Sequence, residues 1–135
     1  MRLIFLIAVT GIAAALSAVA ATPEEEASAI GQKWLSLLDD QKYEESWKQA
    51  STMFQGEVTQ ERWLAALKQS REPLGSFVSR TTARVDFTKV LRGAPDGEYA
   101  IIHYTTNFKN KSDVTERLTL VKEDGKWLMS AYAIH

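Results

Sequence analysis

The sequence predicts an α+β domain in which helices come first and an antiparallel sheet follows. Up to about residue 70, apolar residues recur at three- and four-residue steps, which is the spacing of one helix face. After Pro73-Leu74-Gly75, β-branched and aromatic residues dominate and turn signals separate them into segments. The predicted architecture is therefore three N-terminal helices packed on a four-stranded antiparallel meander, forming a single domain over residues 22–135.

Residues 1–20 have the pattern of a cleavable secretory signal peptide. Arg2 precedes an apolar run from Leu3 to Leu16, and small residues close the segment at Ala20. This run is shorter than the ~20 residues that a membrane-spanning helix needs. We expect cleavage after Ala20, or after Ala21, which predicts a periplasmic or secreted protein that keeps no membrane attachment.

Composition excludes several classes of function. The 135 residues contain no cysteine, so disulfides, thiolate metal ligands, a cysteine nucleophile and a lipid-modified cysteine are ruled out. The formal net charge is −1 with scattered Lys and Arg, which does not indicate a nucleic-acid partner. No His, Asp or Glu set has ligand spacing and no phosphate loop is visible, so we expect neither a metal nor a cofactor.

Helical boundaries follow from capping residues and from apolar spacing. Thr22 suits the cap of the first helix, with Pro23 in its first turn. An apolar stripe that includes Ile30 and Trp34 is expected to face the core. The predicted segments are a helix that ends at Asp39-Asp40, a helix from Tyr43 to Ala50, an irregular stretch from Ser51 to Val58, and a helix capped by Thr59 that ends between Ser70 and Gly75.

Four strands follow, joined by short turns such as Pro95-Asp96-Gly97 and Asp124-Gly125. The second strand is apolar on both faces, which places it inside the sheet. Strict alternation in the fourth strand puts Met129 and Tyr132 on opposite faces, unless a bulge intervenes. The predicted strands are Phe77–Val90, Glu98–Phe108, Val114–Glu123 and Lys126–Ile134.

Among the ionisable residues, Glu116 is the strongest candidate for a functional residue. It shares a strand face with Leu118 and Leu120, so burial is expected to raise its pKa unless a cation pairs with it. Arg80 in the first strand is the predicted partner, and a structural ion pair is favoured over a site. His103 stands in an apolar strand, where a satisfied histidine is more common than a ligand.

Four tryptophans in so short a chain are expected mainly to pack the core, because each ring buries a large apolar area. The same rings also suit the rim of a cleft between helices and sheet, which is a usual place for an apolar ligand. No catalytic residue is assigned. The candidate ligand-binding residues are Trp34, Trp47, Trp63, Arg80, Tyr99, His103, Glu116 and Trp127.

One set of motifs carries a resemblance: Trp34-Leu35, Tyr43-Glu44-Glu45-Ser46-Trp47, Trp63, Arg71-Glu72-Pro73-Leu74-Gly75, Ser79-Arg80, Pro95-Asp96-Gly97-Glu98-Tyr99, Glu116 and Gly125-Lys126-Trp127. Their order resembles a family of exported bacterial domains of unknown function. That family is similar in layout to the cystatin-like and nuclear-transport-factor-2-like group. The resemblance implies helices packed into the concavity of a curved sheet with a cone-shaped pocket, and it implies no reaction.

The favoured hypothesis is a non-catalytic binding domain for a small apolar ligand, a peptide or a protein, because no catalytic constellation can be assembled. A first alternative is a small isomerase- or dehydratase-like enzyme with Glu116 or His103 as the base. A second alternative is a homodimer that uses its own sheet as the partner surface. A structure in which Glu116 or His103 is buried in an ion pair would count against the enzyme hypothesis.

Overall fold

The computed structural model describes residues 11–12, 14–15 and 19–135, so most of the predicted signal peptide lies outside the described residues. The α+β class is confirmed. Helices precede strands along the chain, and the predicted change near residue 75 is where the first strand begins. The elements are α1 (Pro23–Asp39), α2 (Tyr43–Lys48), α3 (Thr52–Glu57), α4 (Gln60–Ser70), a short 3₁₀ helix (Glu72–Leu74), β1 (Phe77–Thr88), β2 (Tyr99–Phe108), β3 (Lys111–Glu123) and β4 (Lys126–Ile134).

The four strands form one antiparallel sheet in the order β1-β2-β3-β4, which is the predicted meander. Strand β2 lies inside the sheet, as its two apolar faces indicated. Residues of β2, β3 and β4 that face the helices form the core with α1 and α4, among them Ile102, Leu118 and Met129. The opposite face of the sheet carries His103 and Arg117, which are directly paired across β2 and β3.

Helix α3 occupies the stretch that was predicted to be irregular, so that prediction was wrong and the described chain has four α-helices. Its first cap is local, since the Ser51 hydroxyl accepts the N–H of Phe54 at 3.1 Å. Its second cap comes from β3, where the Glu123 carboxylate accepts the Thr52 N–H at 2.9 Å and the Thr52 hydroxyl at 2.8 Å. A contact between residues 71 positions apart leaves no local sequence signal.

Strand β3 begins at Lys111, three residues earlier than predicted, because the β2–β3 hairpin contains a bulge between Thr106 and Phe108. The Asn107 side chain accepts the Asp113 N–H at 2.9 Å and holds Asp113 at a φ of 55°. A short polar side chain tolerates this left-handed conformation better than a branched one. The pairing of β2 with β3 therefore continues beyond Asp113, and Phe108 pairs with Lys111.

A second bulge in β4 changes which side chains face the helices. Thr119 pairs with Ala131 but the next residue, Leu120, pairs with Met129, so Ser130 is the extra residue. Met129 and Tyr132 consequently both pack against the core. Strict alternation put them on opposite faces and was wrong for Tyr132, whose hydroxyl is thereby directed to Glu116.

Helix α1 lies unusually close to the sheet at Gly31. A Cβ atom added there would lie 2.6 Å from the Tyr104 hydroxyl oxygen and 3.0 Å from Cδ1 of Ile102. Only a residue without a side chain allows this approach. The contact sets the height of α1 above β2 and leaves the Tyr104 hydroxyl buried without a partner among the described residues.

None of the helices in residues 19–135 is both long enough and apolar enough to cross a membrane.

Candidate functional site

Four charged side chains meet inside the domain at one end of the sheet. They come from the end of α1, the end of α4, β1 and β3, and they are Asp39, Arg71, Arg80 and Glu116. Their side chains are 12, 4, 9 and 0 % exposed, respectively. Two cations and two carboxylates leave the cluster formally neutral, which is the condition under which charges are retained in a protein interior.

Arg80 is the centre of this cluster. Its Nε donates to Oε1 of Glu116 at 2.8 Å, while Nη1 and Nη2 donate to the two oxygens of Asp39 at 2.9 and 3.0 Å. The predicted Arg80–Glu116 ion pair is confirmed. Burial opposes the charge of Arg80, but hydrogen bonds to Asp39 and the negative charge of Glu116 outweigh burial and raise the pKa of the guanidinium. This forked geometry is the strongest form of an arginine–carboxylate contact.

Glu116 is fully sealed. Its Oε1 accepts from Arg80 and from the hydroxyl of Thr106, and its Oε2 accepts from the hydroxyl of Tyr132. The side chain has no exposed area. A general base must reach a substrate proton, and every hydrogen-bond contact of this carboxylate is with the protein itself.

Two tyrosines flank Glu116 and stay protonated well above neutral pH. Burial raises the pKa of Tyr132, and the negative charge of Glu116 raises it further. Burial also raises the pKa of Tyr104, against the opposing effect of Arg80. Tyr132 therefore acts as a hydrogen-bond donor to Glu116, whereas the Tyr104 hydroxyl donates to no described acceptor.

His103 lies on the other face of the sheet, because it neighbours Tyr104 in β2 and Tyr104 is paired with Glu116. Its Nε2 is 3.2 Å from Nη2 of Arg84. Burial and the positive charge of Arg84 lower the pKa of His103. The structure therefore does not bring the two candidate bases, Glu116 and His103, into one site.

Three of the four tryptophans have hydrogen-bonded indole groups that serve the fold. Trp34 donates to the carbonyl of Ser46 at 3.0 Å, and Trp63 donates to the Ser46 hydroxyl at 2.9 Å. Trp47 donates to the Val58 carbonyl at 2.8 Å. These bonds join the helices to one another, so core packing accounts for most of what these rings do.

Trp127 differs from the other three. Its indole N–H is buried and has no acceptor within the described part of the chain. Leaving such a donor unpaired costs about 1–3 kcal/mol. One face of the ring contacts Phe87 at a centroid distance of 6.0 Å, and the Lys122 ammonium lies 5.2 Å from the ring centre.

Three adjoining cavities meet at Trp127, with volumes of about 510, 540 and 370 Å³. The first two lie between α1 and the start of β4, and the third lies between β1 and β2 beside the same ring. We call them together the Trp127 groove. Its apolar surface is formed by Ile30, Trp34, Phe87, Trp127, Leu128 and Met129.

Ile30 belongs to the stripe that was expected to face the core, but 38 % of it is exposed in this groove. Phe87 is 47 % exposed at the other side of the Trp127 ring. Exposed apolar side chains that are grouped around one ring mark a binding surface more often than isolated ones do. The sequence pattern identified Trp34 and Trp127 but missed Ile30 and Phe87, whose exposure depends on how the elements pack in three dimensions.

Tyr99 is placed by the turn that precedes β2. Its side chain is 2 % exposed, and its hydroxyl donates to the carbonyl of Pro95. One edge of the residue lines the third cavity of the Trp127 groove. Tyr99 therefore supports the wall of the groove from the β1–β2 connection.

A separate polar cavity of about 320 Å³ lies beside Asp39 and Arg71. The sequence analysis missed both residues as members of a cluster, because it placed Asp39 at the end of the first helix and Arg71 in the segment that closes the last helix. Nη1 of Arg71 is buried without a described partner, and the guanidinium lies 5.1 Å from the ring centre of Phe108. Within residues 19–135 and the four other described positions, no group of three His, Asp or Glu residues converges to hold a metal ion.

Comparison with known proteins identifies a family but assigns no activity to it. No curated protein matches the chain. The family model described as a protein of unknown function, DUF4019, matches residues 30–132, which run from the middle of α1 to Tyr132, two residues before the end of β4. The expectation of an unknown-function family is thereby confirmed, and the chain belongs to the DUF4019 family of proteins of unknown function.

Proposed function

We propose that this chain is an exported, non-catalytic binding domain that holds an apolar ligand in the Trp127 groove. Export rests on the signal-peptide pattern of residues 1–20, which predicts a periplasmic or secreted protein. The observation that carries the binding role is the meeting of three cavities at Trp127. Concave apolar sites between helices and a sheet are the usual places for small ligands.

The sealed state of Glu116 supports a non-catalytic role. Its two oxygens already accept from Arg80, Thr106 and Tyr132, so a substrate proton would have to displace a structural hydrogen bond. His103 lies on the opposite sheet face beside Arg84, which disfavours its protonated form. The isomerase- or dehydratase-like alternative loses support, since a base and a donor do not converge on one cavity.

The outer sheet face is less suited to self-association than its sequence suggested. The row across the four strands is Arg84, His103, Arg117 and Ala133, so two permanent cations lie in one row with His103 between them, and Arg84 is paired with Asp86. A face-to-face copy would bring such rows together, and like charges oppose that contact. The ligand-binding role is therefore preferred to a homodimer formed through this face.

The test uses a neutral apolar dye, N-phenyl-1-naphthylamine, titrated into the protein that starts at Ala21. We expect saturable binding of one dye per chain, with quenching of tryptophan fluorescence. Ile30→Gln is expected to weaken the affinity by about tenfold, since a polar amide replaces apolar surface in the groove. Ile30 is partly exposed, so this variant is expected to fold.

Val78→Gln is the matched control, because Val78 is an exposed apolar residue that is not part of the Trp127 groove. Its affinity for the dye should equal that of the unmodified protein. An absence of saturable binding, or an equal loss in both variants, would show that the groove is not a ligand site.

A further inference from the structure

The rim of the Trp127 groove is cationic although the chain as a whole is not. Five lysines line the three cavities, whereas only three glutamates do, so the formal charge of the lining is +2. The whole chain has a net charge of −1. The first cavity carries no acidic residue at all and is bordered by Lys33, Lys48 and Lys126. The positive charge of the lining is therefore concentrated in the first cavity, whose lining also includes Ile30, Trp34 and Trp127.

None of the five lysines forms an ion pair within the part of the chain that the structure describes. The side chains that form ion pairs with carboxylates there are those of Arg71, Arg80 and Arg84. A lysine ammonium that borders an apolar cavity and is not held in an ion pair is available to an anion from outside. Its long apolar stem also lines the cavity while the charge stays at the rim.

The edge of β4 is already occupied where it borders the groove. The Ser51 N–H donates to the carbonyl of Met129 at 2.8 Å, so a peptide strand cannot add to the sheet at this point. The groove is concave, which suits an inserted chain better than the flat surface of a bilayer. These two features favour a free small molecule over a peptide strand or a membrane.

We propose that the ligand of the Trp127 groove is a free single-chain amphiphile with one anionic head group. The apolar chain lies along Ile30, Trp127 and Leu128, and the head group lies among Lys33, Lys48 and Lys126. This inference rests on the proposed binding function and adds the charge of the ligand to it. In this proposal, the lysines at the rim discriminate between apolar molecules of equal chain length by the charge of their head groups.

The experiment compares three compounds that share a dodecyl chain: dodecanoate, dodecanol and dodecyltrimethylammonium. Each is titrated by calorimetry into the protein that starts at Ala21, at pH 8, in low salt and below its micelle concentration. We expect dodecanoate to bind about tenfold more tightly than dodecanol, and the cation to bind most weakly. The advantage of dodecanoate should shrink as salt is raised, because the head group is near the surface.

The double variant Lys33→Gln with Lys48→Gln is expected to remove the advantage of dodecanoate, so that dodecanoate and dodecanol bind this variant with equal affinity. Lys68→Gln with Lys109→Gln is the control, since these two lysines are exposed outside the groove and the pair removes the same charge. The control should keep the preference.

The outcomes separate this inference from the proposed function. Equal binding of dodecanoate and dodecanol would contradict the proposed anionic head group, while the proposal of an apolar binding groove would remain supported. Failure of all three compounds, together with failure of the neutral dye, overturns the groove itself. Binding to phosphatidylglycerol vesicles, or to an acidic amphipathic peptide, without binding of free dodecanoate also overturns the proposal.

Discussion

Arg80 of β1 and Glu116 of β3 form an ion pair across the strand that separates them, with Nε and Oε1 2.8 Å apart. Thr106 of β2 lies between them and donates its hydroxyl to the same oxygen of Glu116. The glutamate has no exposed area and the arginine side chain is 9 % exposed. The pair therefore links three strands in a largely buried place.

Loss of the negative charge in this pair should destabilise the domain. Glu116→Gln leaves Arg80 with a single carboxylate partner, Asp39, inside the protein. Breaking a buried pair by neutralising one member typically costs about 3–5 kcal/mol. We expect a loss of about 3 kcal/mol in the free energy of unfolding, measured by urea denaturation at pH 7.

Asp86→Asn is the matched control for that substitution. Asp86 pairs with Arg84, but these side chains are 47 and 63 % exposed. Exposed pairs contribute less than about 1 kcal/mol, so this variant should remain close to the unmodified protein. Equal losses in the two variants would contradict a special role for the buried pair.

Tyr132 and Tyr104 should respond in opposite ways to removal of the hydroxyl. Tyr132→Phe deletes the hydrogen bond to Glu116, and a bond to a charged group contributes about 1.5–3 kcal/mol. Tyr104→Phe removes a buried hydroxyl that has no described partner, so its effect should be neutral or stabilising. Urea denaturation of both variants measures the difference, and a destabilised Tyr104→Phe protein would reveal a partner for that hydroxyl.

Gly31→Ala should destabilise the domain because its Cβ would lie 2.6 Å from the Tyr104 hydroxyl. Overpacking of this kind costs about 1–3 kcal/mol, partly offset by the better helix propensity of alanine. The double variant with Tyr104→Phe should recover part of the loss, since the closest atom is gone. A double-mutant cycle measures this coupling, and additive losses would place the clash elsewhere.

Stability should fall as the pH rises above 10. The pKa values of Tyr104 and Tyr132 are raised above the ordinary 10.0 in the folded chain, mainly by burial. Above pH 10 the unfolded chain releases these protons while the folded chain keeps them. The unfolded state is therefore stabilised relative to the folded state as the pH rises. Unfolding free energies of the Tyr132→Phe variant between pH 8 and 11 should decline less steeply than those of the unmodified protein.

The cap that Glu123 provides to α3 should depend on pH in the acid range. Burial acts to raise the pKa of Glu123, but hydrogen bonds from Thr52 and Met53 outweigh it and lower the pKa. A lowered pKa stabilises the fold above the ordinary value of 4.5, and this contribution is lost as the pH falls through the folded value. Glu123→Gln should thus lower the urea midpoint at pH 7.

The same comparison at low pH supplies the check on that prediction. Once Glu123 is protonated in the folded chain, the unmodified protein loses the charged acceptor that Glu123→Gln lacks at every pH. The two urea midpoints should therefore converge on acidification. A constant gap between them would mean that the carboxylate charge does not stabilise α3.

Much of the fold follows from the sequence because its signals are local. Thr22 and Thr59 cap their helices with the predicted side-chain hydrogen bonds, and short turns join adjacent antiparallel strands. The Arg80–Glu116 pair was also predictable, since a carboxylate on an apolar strand face requires a cation. Signals of this kind need only neighbouring residues or one elementary rule about buried charge.

The tertiary structure alone decided the features that depend on distant partners. Helix α3 exists where Glu123 reaches back to Thr52, and Tyr132 faces Glu116 only because a bulge shifts β4 by one residue. The Trp127 groove likewise forms where α1 leaves Ile30 uncovered beside β4. The sequence by itself determined the elements and their order, while burial, bulges and long-range caps determined which side chains meet, because those contacts join residues that are far apart along the chain.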